Sequence, residues 1–277
     1  MNPISLFKKS YKSVAIITAI AFLLLLLCFM FSFDAENGYL SNGILTIMFF
    51  VVYAIGVIAA LLSLLIPSEF DILETPNSLN STAKSYYTVA TAAAVLIGAL
   101  SLFLSKNVSN PKNLLFSGIG VICFGIYLIA VLKTGYEFNV FKLVFLFLSI
   151  TTPVTISLGN NTNYYHHINS IENTLSVLFS ISFLMFILQE AKRICKHRHS
   201  GWHFASMLLT FMSGISLSGA YIAAYALDVV NEGYRLYQML IIFIISTAVA
   251  FKLNRFVSEL KLTSKYKYHI TDSISTF

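Results

Sequence analysis

Thr210, Gly214, Ser218, Tyr221, Tyr225 and Asp228 recur at intervals of three or four, so in a helix they share one face. Hydroxyls, phenols and a carboxylate together can hold a polar ligand. The same residues also suit plain packing, because small side chains let a neighbouring helix approach and hydroxyls hydrogen-bond across the contact. A second polar stretch, Ser149-Ile150-Thr151-Thr152-Pro153-Val154-Thr155, surrounds a proline that removes one amide and frees a carbonyl about a turn earlier. Hydroxyls repair such a break locally, and a broken helix at a polar patch is also how transporters build ligand sites. The candidate ligand-binding residues are therefore Thr152, Tyr221, Tyr225 and Asp228.

Metal and acid–base chemistry is harder to assemble. His166 and His167 are neighbours, and adjacent side chains point apart on a strand or a helix. The run Cys195, His197, His199 and His203 has ligand types, yet Lys192, Arg193, Lys196 and Arg198 lie among them, and four cations repel a divalent ion. No metal site and no cofactor is expected. The basic loop instead fits an orientation signal suited to anionic lipid headgroups. No phosphate-binding glycine loop, nucleophile elbow or paired carboxylate occurs, so no catalytic residue is assigned. A lipid-modifying enzyme would require Asp228, Glu172, His166 and His167 to converge. Lys142 is the one charge well inside an apolar run, close enough to an end to snorkel.

The elements that must carry these residues follow from composition. With 57% hydrophobic and 11% charged residues, the chain lacks the polar surface to cover a water-soluble globule. Its main solvent is lipid. Apolar runs of about twenty residues, charged only at or near their ends, fall near 14–33, 43–66, 88–105, 114–132, 141–158, 172–190, 204–227 and 236–253, each able to cross a bilayer as a helix. Pro67, Pro76-Asn77, Asn110-Pro111 and Gly159-Asn160-Asn161 interrupt them. An all-α polytopic bundle of about eight spans is expected, in one transmembrane domain with a short basic tail over 254–277.

Lys and Arg resist translocation, so their distribution tests the topology. Eight spans with both termini cytoplasmic place fifteen of the 18 inside and leave Lys106, Lys112 and Arg235 outside. Deleting the marginal third span gives seven inside against eleven outside. The eight-span orientation is preferred. The same clustering beside apolar segments explains the net charge of +6 without nucleic acid as a partner.

Lys8, Lys9 and Lys12 before an apolar run imitate a signal peptide, but the run reaches Phe33 without a small-residue cleavage pattern and reads as an uncleaved helix. Cys28 and Cys123 fall in spans and Cys195 in an inner loop, so no outer disulfide is expected. Sequons stand at Asn80, Asn107 and Asn160, of which the last two would face outward.

Phe33-Asp34-Ala35-Glu36-Asn37-Gly38-Tyr39, Ile171-Glu172-Asn173 and Gln189-Glu190-Ala191-Lys192 resemble motifs of uncharacterised multispan membrane proteins of gut Firmicutes. The resemblance implies a bacterial cytoplasmic membrane and no activity. Short loops and sparse intramembrane charge favour a non-enzymatic accessory, sensing or structural component, with the bilayer and other membrane proteins as partners. The alternative is a small-molecule or lipid transporter with a polar cavity in the outer half of the fifth and seventh spans.

Overall fold

In hydrocarbon each backbone amide and carbonyl must be satisfied within its own segment, and the long apolar runs of this chain are accordingly helical. A computed structural model describes residues 3–31, 33–34, 39–40, 43–65, 81–105, 111–159, 167–195, 200–226 and 236–253. The helices are α1 (Pro3–Phe31), α2 (Ile44–Leu61), α3 (Ser81–Leu104), α4 (Pro111–Thr134), α5 (Val140–Leu148), α6 (Thr151–Gly159), α7 (His167–Ile194) and α8 (Ser200–Ala226), followed by α9 (Leu236–Leu253). Among the described residues the only extended pairing is a two-residue antiparallel ladder, Phe33 opposite Leu40 and Asp34 opposite Tyr39.

The chain is an all-α, multi-pass membrane protein. Seven stretches are helical, long and apolar enough to cross a bilayer, and a shorter apolar segment, Lys12–Cys28, lies in α1. The marginal third helix is among the seven, as Tyr87–Leu104. Large apolar side chains such as Phe50, Ile55, Phe103 and Phe147 point out of the bundle, the reverse of a soluble protein. α8 is central, with 78% of its membrane-length window buried, whereas α2 has 28% and lies at the periphery.

Glycines set the tightest contacts. A Cβ on Gly98 of α3 would lie 2.9 Å from the Gly118 carbonyl oxygen of α4, so these two helices touch backbone to backbone. A Cβ on Gly120 of α4 would meet the Thr152 backbone nitrogen at 2.7 Å. That contact sits at the interruption of the fifth span, where α5 gives way to α6 through Ser149 and Ile150.

The interruption is locally repaired. Pro153 removes the amide that would have bonded the Ser149 carbonyl, which accepts from the Thr152 N–H at 3.2 Å instead. Hydroxyls satisfy neighbouring carbonyls: Ser149 donates to Leu146 O at 2.5 Å, Thr151 to Leu148 O at 2.9 Å and Thr155 to Thr151 O at 2.8 Å. The Pro153 carbonyl itself accepts from Ser180 of α7 at 2.9 Å.

The turn between α4 and α5 is equally specified. Gly135 adopts φ 60° at the end of α4 and its N–H returns to Val131 O at 2.9 Å, a left-handed cap that glycine forms without strain. Asn139 then opens α5 by accepting from the Phe141 N–H at 2.8 Å. Lys142, expected to snorkel, is instead 1% exposed. Its ammonium donates to the Gly135 carbonyl at 2.7 Å and the Glu137 carbonyl at 3.0 Å, clamping the two residues that flank Tyr136. Carbonyls left over at a helix end attract a cation, which outweighs the pull of the interface.

Candidate functional site

The face of α7 that packs on α8 carries three phenylalanines, with the Ser182 hydroxyl hydrogen-bonded to that of Ser213 at 3.2 Å, and then changes character. Phe179 and Phe183 stack with centroids 5.8 Å apart, Phe183 and Phe186 at 5.9 Å, and Phe124 of α4 meets Phe183 edge-on at 5.4 Å. One further turn along the same face stands Glu190, 0% exposed. A carboxylate at that depth is stable only if cations and donors surround it.

Three other helices supply them. His203 of α8, stacked on Phe186 at 6.0 Å, places Nε2 2.6 Å from Glu190 Oε1. Lys252 of α9 forms an ion pair with Oε2 of the same carboxylate. Tyr127 of α4, also fully buried, donates its hydroxyl to that oxygen. Tyr136, in the turn clamped by Lys142, donates to Oε2 at 3.3 Å and accepts from Lys252 Nζ at 2.9 Å. The ammonium also lies 5.0 Å from the Tyr127 ring centroid, 5.2 Å from Tyr136 and 5.5 Å from Phe186, so aromatic faces surround it. Outside this layer, the Arg193 guanidinium rests 4.0 Å over the Tyr136 ring.

With Lys252 protonated, Glu190 ionised and His203 neutral with its proton on Nε2, the three residues carry no net charge and each polar group has a partner. The arrangement ties α4, α7, α8 and α9 together at one end of the bundle. It can also register protons, since adding one to His203 sets a second cation near Lys252 and Arg193 against a single carboxylate.

The residues singled out from sequence are not among the groups that surround Glu190. Thr152 is fully buried and donates to the Ser117 carbonyl of α4 at 3.2 Å, so its hydroxyl serves the α4–α6 contact. Tyr221 is buried, Tyr225 is 48% exposed, and Asp228 lies outside the described residues. A groove of about 440 Å³ between α1, α8 and α9 is walled by Phe22, Phe211, Ile215, Ser218 and Phe243, and by none of Thr152, Tyr221 and Tyr225. Its one hydroxyl on that α8 face, Ser218, is turned to the Gly214 carbonyl at 2.8 Å.

Cys195 is exposed while His203 faces Glu190, so these two members of the basic loop's ligand-like run serve different surroundings. His197 and His199 lie outside the described residues, as do His166, Lys196, Arg198 and the three sequon asparagines. Lys192 is exposed at the end of α7. Glu172 is 1% exposed, near the opposite end of α7 from Glu190.

Sequence reasoning missed the Glu190 cluster because it placed Glu190 and Lys252 at span ends and read them as interfacial. Two signals were present. The helical face that holds Thr210 and Gly214 reaches His203 when continued two turns backwards. In an alternating bundle, the end of α7, the start of α8 and the end of α9 also meet on one side, which brings Glu190, His203 and Lys252 to the same level. No family model, no curated protein and no solved structure matches this chain.

Proposed function

We propose that this protein is a non-enzymatic sensing component of a membrane, a bacterial cytoplasmic one by the resemblance noted above. The charge state of the Glu190 cluster sets how four of its helices pack. The observation that carries this reading is one fully buried carboxylate shared by groups from α4, α8 and α9. Ionisable residues inside a membrane are costly and are kept where they do something. The Lys and Arg distribution favours cytoplasmic termini, and on that reading the cluster reports from the inner end of the bundle.

The groups facing Glu190 are Lys252, His203, Tyr127 and Tyr136, with Arg193 behind Tyr136 and Lys142 fixing the turn that carries it. Protonating His203 adds unbalanced charge, and protonating Glu190 leaves the Lys252 ammonium without its counter-ion. Either event loosens the tie between α9 and α7. The transporter alternative draws no comparable support, because Thr152 is packed against α4 and the apolar groove bypasses it.

Trp202, the only tryptophan in the chain, is 46% exposed and adjacent to His203, which makes it a built-in reporter. Its emission in the purified protein is expected to titrate as the pH falls from about 8 to about 5. His203→Gln and Glu190→Gln should abolish most of that response. An unresponsive wild-type protein, or identical titrations in all three, would overturn the reading.

A further inference from the structure

Lys252 occupies a box that does not depend on its being a lysine. Glu190 supplies a full negative charge, the Tyr136 hydroxyl accepts an N–H bond at 2.9 Å, the Tyr127 hydroxyl stands 3.4 Å from Nζ, and the faces of Tyr127, Tyr136 and Phe186 enclose the rest. These are the elements by which proteins recognise a free ammonium: an anion, an acceptor for its N–H groups and aromatic walls. Lys252 itself is 5% exposed and arrives on the last helix, whereas every other wall of the box belongs to α4, to the turn after it or to α7. The box and its occupant thus come from different parts of the bundle.

We propose that the Glu190 box is a binding site for small primary ammonium compounds, with Lys252 as a tethered occupant that keeps it closed. Primary rather than quaternary ammonium is specified because Tyr136 and Glu190 both take N–H donors from the occupant, and a fully alkylated nitrogen has none to give. Entry of a free amine releases α9 from α7 without changing the charge inside, since one ammonium replaces another. The inference rests on the reading above that the cluster exchanges its partners, and it names a second signal at the same place.

The probe is propylammonium, which matches the atoms removed by Lys252→Ala. Binding is measured calorimetrically at one fixed pH on the purified full-length chain. Lys252→Ala is expected to bind propylammonium at least about tenfold more tightly than the wild type, in which the tethered ammonium competes. Adding Glu190→Gln should cost at least about tenfold again, and tetramethylammonium should not compete. Absence of propylammonium binding to folded Lys252→Ala overturns the proposal, as does equal binding of tetramethylammonium.

If Lys252→Ala does not fold alone, it is purified with each amine present. Recovery by propylammonium only supports the site, and recovery by neither or by both equally overturns it. Because no step varies pH, failure here leaves the Trp202 titration standing, and a flat Trp202 titration leaves these binding results standing.

Discussion

Replacing Glu190 by Gln changes one atom of the carboxylate and leaves its shape, which isolates the charge. The side chain is 0% exposed and Lys252 is 5% exposed, so solvent cannot take over the role of counter-ion. Removing one partner of a buried ion pair costs about 3–5 kcal/mol, because the other charge stays behind in a low dielectric. Gln offers one oxygen where the carboxylate had two, so it accepts from Tyr127 or from the Nε2–H of His203 but not from both, and the bond that remains is a weaker, neutral one. Glu190→Gln should therefore destabilise the bundle by about 4 kcal/mol. In Glu190→Gln with Lys252→Met, both charges leave together and the loss should shrink to about 1 kcal/mol or vanish. Subtracting the losses of both single variants, Glu190→Gln and Lys252→Met, from that of the double gives the coupling between α7 and α9, which should lie well above the disagreement expected of independent sites. Reversible unfolding in mixed micelles, followed by circular dichroism, gives all four corners of the cycle. A single-variant loss below about 1 kcal/mol, the range of exposed pairs, would refute the claim that the cluster is desolvated and paired. So would a double variant as unstable as the sum of the singles.

Gly120→Ala forces a methyl against the Thr152 amide nitrogen, which cannot rotate aside, and should cost about 1–3 kcal/mol in the same unfolding assay. Gly125→Ala meets nothing nearer than the Ala94 methyl, at 3.2 Å, and should cost clearly less. Lys142→Met frees the carbonyls of Gly135 and Glu137 and loosens Tyr136. It should destabilise the fold by about 1–3 kcal/mol and also weaken the Trp202 response to pH, which a purely local defect would not do. Cys195 is exposed while Cys28 and Cys123 are buried. A membrane-impermeant maleimide should accordingly label Cys195 only after cells are permeabilised, and labelling of intact cells would invert the orientation inferred from charge.

The bundle was legible in the sequence because hydrocarbon imposes a simple demand, long uncharged segments, and these stand out even around the Ala- and Thr-rich third helix. The hydroxyls around Pro153 were legible as a repair for the same reason: a freed carbonyl needs a donor within reach, and Ser and Thr are the residues that provide one. The Glu190 cluster was not, since a charge at the edge of an apolar run reads as interfacial unless one knows that its helix face turns inward. Lys142 failed in the same way, because nothing in the run around it announces that Gly135 would end α4 with carbonyls aimed back at an ammonium. Helix rotation and neighbour identity are tertiary properties, and one sequence carries little trace of them. Of the α8 stripe, Tyr221 is buried and Tyr225 exposed.

Glu190 and Lys252 are 62 residues apart, and that separation has a consequence for how the protein is made. A chain emerging from its N-terminus delivers the carboxylate of α7 to the membrane before α9 has been synthesised. Until then α7 carries an acid with no ammonium to meet it, a burden that favours the helix end staying near the headgroups. Arrival of α9 supplies the missing charge. A chain cut short before α9 would therefore lack the ammonium that pairs with Glu190.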